Sequence, residues 1–89
     1  LEECYEKIFT SEFKNEVLED CVHKILSQVE IQPHKEKNFI IYKGYKVGYL
    51  IKKVPLEEIK VHRFWKGPFG IKLELSYLNN FIGVLVIRK

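Results

Sequence analysis

The stretch from Ile71 to Lys89, IKLELSYLNNFIGVLVIRK, decides the fold class. Apolar and polar residues alternate through Ile71, Leu73, Leu75 and Tyr77, and after Asn79-Asn80 an apolar run extends from Phe81 to Ile87. A period of two on either side of two asparagines, which tolerate the positive φ of a tight turn, predicts an antiparallel hairpin. With Asn79-Asn80 as the turn, Ile71, Leu73, Leu75 and Tyr77 share a face with Ile82, Val84 and Val86. The opposite face then mixes Lys72, Glu74, Ser76 and Gly83 with Leu78, Phe81, Leu85 and Ile87. Phe81–Ile87 holds no charge and no proline, so it is expected to be central in a sheet, or paired with another chain.

The same pattern occupies Asn38 to Lys52, around Lys43-Gly44. A turn there sets Tyr42 against Tyr45 and Ile40 against Val47. Moving it by one residue would oppose Lys43 and Lys46, which like-charge repulsion disfavours. The expected first face is Ile40, Tyr42, Tyr45, Val47, Tyr49 and Ile51; the second is Phe39, Ile41, Lys46, Gly48, Leu50 and Lys52. Between the hairpins, Val54-Pro55-Leu56 interrupts the ladder because proline has no donor. Ile59 to Lys66 alternates as a further strand, and Gly67-Pro68-Phe69-Gly70 is a turn by composition.

Upstream the period becomes helical. Leu18, Cys21, Val22, Ile25, Leu26 and Val29 recur at three- and four-residue spacing, opposite Glu16, Glu19, Asp20, Lys24 and Gln28. Ser11 as N-cap with Glu12 in the first turn predicts a main helix over 11–30. Tyr5, Ile8, Phe9 and Phe13 predict a short lead-in helix, interrupted at Thr10-Ser11. Pro33 stops the main helix, leaving Gln32 to Lys37 as a loop. The expected architecture is α+β: an N-terminal helix, with a short one before it, packed on four or five antiparallel strands built from consecutive hairpins.

Eighty-nine residues make one small domain, and the 46 % hydrophobic content suits a packed core rather than a disordered chain. No apolar run is long enough to span a bilayer. There is no methionine and the first residue is Leu1, which points to a piece of a longer protein. Two cysteines are too few for a disulfide framework: Cys21 reads as a small core residue and Cys4 as a free terminal thiol. With no basic-then-apolar leader either, the expected setting is a reducing intracellular compartment, cytoplasm or nucleus. Residues 1–31 carry a net charge of −5 and residues 32–89 a net +8, which sum to the overall +3. A basic half of this kind marks an anionic partner, or weakly attracts the acidic helix of its own fold.

One helix covers one face of a sheet, and the second face here is not cleanly polar. Phe39, Ile41, Leu50, Phe81, Leu85 and Ile87, ringed by Lys46, Lys52 and Lys72, are the expected contacts for another protein or a second copy of the chain. The competing expectation is that the lead-in helix or the 54–70 segment folds over that face. An alternative function is RNA or single-stranded DNA binding through Lys60, His62, Arg63, Phe64 and Lys66, since bases stack on aromatic rings while cations neutralise phosphates. Within that segment Phe64 and Trp65 alternate, with Trp65 expected in the core.

No catalytic or metal constellation is expected. His23, His34 and His62 stand at no ligand spacing from either cysteine. Cys21 and His23 are two apart on a helix and point away from each other, and the five glycines form no phosphate-binding pattern. No cofactor is implied. The expected function is that of a non-enzymatic interaction domain.

Overall fold

The computed structural model describes residues 2–9 and 15–89. Thr10, Ser11, Glu12 and Phe13, on which the expected cap and the join between the helices rest, lie outside them. Helix α1 spans Glu2–Phe9 and α2 spans Asn15–Leu26. Leu18, Cys21, Val22, Ile25 and Leu26 of α2 are all buried, so the three-and-four spacing does define the core-facing stripe. The helix stops earlier than its apolar spacing suggested. The Gln28 N–H donates to the Ile25 carbonyl at 3.0 Å, tightening the last turn, and the Ser27 hydroxyl donates to the Lys24 carbonyl at 2.7 Å.

The chain then enters a strand that periodicity had assigned to helix and loop, and the sheet gains a sixth member. The strands are β1 (Glu30–His34), β2 (Lys37–Tyr42), β3 (Tyr45–Leu50), β4 (Lys60–Gly67), β5 (Gly70–Tyr77) and β6 (Asn80–Arg88). Pro33 is tolerated because β1 is an edge strand, where a missing donor need break no ladder bond. The sheet is antiparallel, in the order β1-β2-β3-β6-β5-β4. It is two three-stranded meanders joined through β3 and β6. The uncharged Phe81–Ile87 run therefore lies in a central strand, paired with β5 on one side and, from Gly83 to Leu85, with β3 on the other.

Both principal hairpins shift register, and each shift exchanges faces. In β2–β3 the turn is Lys43-Gly44 as expected, with φ of 50° and 83°. Tyr42 faces Tyr45, but a bulge then sets Ile40 opposite Gly48 instead of Val47. Beyond the bulge Leu50 joins Ile40 in the core, while Tyr49 pairs with Phe39 on the other side. In β5–β6 the turn residues are Leu78-Asn79, one position earlier than expected, and Tyr77 faces Asn80. After a further bulge Leu75 pairs with Gly83, Leu73 with Leu85 and Ile71 with Ile87.

Leu85 and Ile87 are consequently core residues, and Val84 and Val86 take the outer face, because side chains alternate and a slip of one inverts them. Burying Leu and Ile in place of two valines gains about 0.8 kcal/mol per extra methylene. That offsets roughly the 1–2 kcal/mol cost of holding a non-glycine residue such as Leu78 in the left-handed region.

Cys4 is bonded to Cys21, with Cα atoms 5.4 Å apart. The expectation of a free terminal thiol is thus corrected: both sulfurs are buried, and the bond fastens α1 to α2. His23 is half-buried, and its Nε2 donates to the Ile59 carbonyl at 2.6 Å, tying α2 to the segment that precedes β4.

Candidate interaction face

Cys4 and Ile8 of α1, the stripe of α2, and Ile59 with the flanking Val54 and Leu56 all join the core on one side of the sheet. They meet Ile40, Leu50, Ile71, Leu73, Leu75, Leu85 and Ile87 there. Neither the lead-in helix nor the 54–59 segment crosses to the other side. Among the described residues, the opposite face of the sheet has no element laid over it.

That face is organised by register. Gln32, Phe39, Tyr49, Val84, Glu74 and Arg63 stand in one row across all six strands. At the usual spacing between strands the row is roughly 24 Å long. A second row holds Val86, Lys72 and Trp65, and Ile41 stands between Glu30 and Lys46. Phe39, Ile41, Tyr49, Val84 and Val86 are half-buried by their neighbours alone. Trp65 remains 47 % exposed.

Cations sit beside the rings. The Lys46 Nζ is 4.1 Å from the centre of the Phe39 ring, and the Lys37 Nζ is 4.4 Å from that of Tyr49. Trp65 lies between Arg63 at 5.2 Å and Lys72 at 5.6 Å. His34 stacks on Phe39 with centroids 5.0 Å apart. Arg63 also donates to Glu74 at 2.9 Å, which closes the β4 end of the long row. Such contacts contribute about 0.5–1 kcal/mol each at exposed sites and keep long cationic side chains flat on the sheet.

The residues expected on this face are brought together only in part. Phe39, Ile41, Lys46 and Lys72 are on it. Phe81 is 44 % exposed and pairs with Ser76 near the end of the sheet. Lys52 is exposed in the bend after β3 rather than on a strand. Leu50, Leu85 and Ile87 are withdrawn as surface contacts, since the two bulges turn them into the core. Tyr49, Val84, Val86 and Trp65 take their place. None of the four was expected outside, and the signal for each was hidden by the register slips or, for Trp65, by a preference for burying the larger ring.

The basic segment of β4 is divided. Phe64 pairs with Leu73 and packs against the core, so it offers no stacking platform. His62 occupies the β4 bulge, exposed, Lys60 and Lys66 are exposed at the two ends of the strand, and only Arg63 lies in the aromatic row. The three histidines lie on three different elements. Among the described residues no group of three His, Cys, Asp or Glu side chains is placed to hold a metal, and no helix is long and apolar enough to cross a membrane. The chain matches no known protein family, no curated protein and no solved structure.

Proposed function

We propose that this chain is a non-enzymatic interaction domain that docks an acidic protein surface on the uncovered face of its sheet. The observation that carries the reading is the six-strand row through Phe39, Tyr49 and Val84, flanked by Ile41, Val86 and Trp65, with no element of the described chain laid over it. Uncovered apolar side chains grouped on one face of a sheet are the usual mark of a binding surface. Lys37, Lys46 and Lys72 beside the rings favour carboxylates on the partner, which would draw the cations away and expose the rings beneath. Capture from the source lysate with the wild type and with Val84→Glu tests this. A bound acidic protein that is lost with the folded variant supports the reading, and an unchanged set of captured proteins overturns it. Sedimentation of the chain alone shows whether the partner is instead a second copy.

The pairing of rings with cations also favours a second reading, single-stranded nucleic acid bound through Phe39, Tyr49 and Trp65. Phe64 packs on the core and Lys60, His62 and Lys66 lie away from those rings, which disperses the basic segment and ranks this reading below the first. Binding to a mixed-sequence oligonucleotide that weakens steeply with salt would reverse that order. The Cys4–Cys21 bond favours a compartment in which thiols oxidise over the reducing one suggested by the cysteine count. Thiol labelling of the protein taken directly from its source distinguishes the two.

A further inference from the structure

The ladder between β3 and β6 is short. It comprises Gly48–Leu85, Tyr49–Val84 and Leu50–Gly83. On their outer sides, however, β2 follows β3 back to Tyr45 and β5 follows β6 on to Arg88. The two meanders therefore fork beyond Gly48, and a cleft of 460 Å³ lies in the fork. Val47 and Val86, both half-buried, supply its accessible apolar lining, backed by the buried Ile25 of α2, Leu85 and Ile87.

Tyr42 is also part of the wall. It is 7 % exposed, and its hydroxyl is buried with no hydrogen-bond partner, an unfavourable state that a bound acceptor would relieve. The charged residues lining the cleft are Lys43, Lys46 and Arg88, all cations, with no acid among them. Arg88 has no acidic partner among the described residues.

These features converge on one chemistry. The apolar lining calls for hydrocarbon, the cations for an anion, and the hydroxyl for an acceptor. We propose that the fork between β3 and β6 binds a small amphipathic carboxylate of the medium-chain fatty-acid class. The alkyl chain lies against Val47 and Val86, with Ile25 and Leu85 behind them. The carboxylate sits among Lys43, Lys46 and Arg88 and accepts from the Tyr42 hydroxyl. The volume falls within the range of about 300–1,000 Å³ usual for small-molecule sites. The site adjoins the interaction face, and Lys46 and Val86 border both.

Calorimetric titration of the intact chain with hexanoate, octanoate and decanoate, below micelle-forming concentrations, tests the proposal. Affinity should rise about fourfold for each methylene buried, and decanol should bind about tenfold more weakly than decanoate. Tyr42→Phe should leave the melting temperature unchanged or higher while weakening decanoate about tenfold, because it removes an unpaired hydroxyl from the free protein and a donor from the complex. Arg88→Gln should weaken decanoate and leave decanol unaffected; should it fail to fold, Lys43→Gln in the exposed turn makes the same comparison. Absence of saturable decanoate binding, decanol bound as tightly as decanoate, or decanoate affinity unchanged in the folded variants would each overturn the proposal.

Discussion

Gly48 and Gly83 stand on either side of the Tyr49–Val84 pair, and each lies where the opposing backbone leaves no space for a side chain. A Cβ at Gly48 would sit 2.0 Å from the Val84 carbonyl oxygen, and one at Gly83 would sit 2.0 Å from that of Tyr49. The seam between the two meanders is thus closed by two glycines acting reciprocally. The atoms in the way are main chain, so no rotamer change relieves the contact.

Gly48→Ala and Gly83→Ala should accordingly each destabilise the domain by about 3 kcal/mol or more, the upper end for overpacking. Gly67→Ala is the control, since its Cβ would meet nothing nearer than 3.9 Å. Urea denaturation of the three variants measures the difference. Equal midpoints for Gly67→Ala and Gly83→Ala would show that the seam opens without cost.

Leu78 is 73 % exposed and held at a φ of 50° in the last hairpin turn. Leucine gains little from burial there and is poorly suited to that backbone. Leu78→Asn should stabilise the fold by about 1 kcal/mol, a rise of roughly 4–8 °C in Tm for a domain of this size. A thermal melt decides it, and a lower Tm would mean that Leu78 makes a contact worth more than its strain.

The Cys4–Cys21 bond closes a loop with a sequence separation of 17. Cross-links of about this length contribute about 3 kcal/mol on the chain-entropy account. Reduction under native conditions should lower the unfolding midpoint by a corresponding amount. It should also release α1 first, since α1 is held by few elements besides α2 and its amides would exchange faster than those of β6. Uniform exchange after reduction would argue against a separable helix.

Val86 and Ile87 are adjacent in the chain and point to opposite sides of β6. Val86→Glu should leave a folded domain that has lost its partner, with a stability change below about 1 kcal/mol. Ile87→Glu places an unpaired carboxylate in the core and should unfold the chain, or cost several kcal/mol. Circular dichroism separates the two. If both variants remained folded, the assignment of covered and uncovered faces would be inverted at this strand.

How much of this was legible beforehand is a question of register. The strands after Asn38 were readable because alternation there is strong, and the Lys43-Gly44 turn was readable from the clash its neighbour would create. Val29 was misread as the end of the helical stripe and Gln32 to Lys37 as a loop, since an apolar residue four beyond Ile25 fits the helical spacing and Pro33 reads as a break rather than as part of an edge strand. That apolar side chains would stand on the face away from the helices followed from there being more apolar strand surface than one helix shelters. Which residues compose it did not follow. A bulge adds one residue and inverts every side chain beyond it, and the signals for it, Gly48 and Gly83, acquire meaning only once β3 and β6 are known to meet. The disulfide was illegible for a similar reason, because spacing alone does not bring Cys4 beside Cys21.

The junction at β6 also bears on how the molecule is assembled. Each meander forms from neighbours close along the chain, whereas Gly48 must wait for Leu85. Contacts so distant in sequence form late. Until then the inner edges of β3 and β6 are both bare, and the one on β6 is the Phe81–Ile87 segment, the most prone to pairing with a stranger. A chain that stopped short of Phe81 would yield two adhesive half-sheets, not a smaller domain.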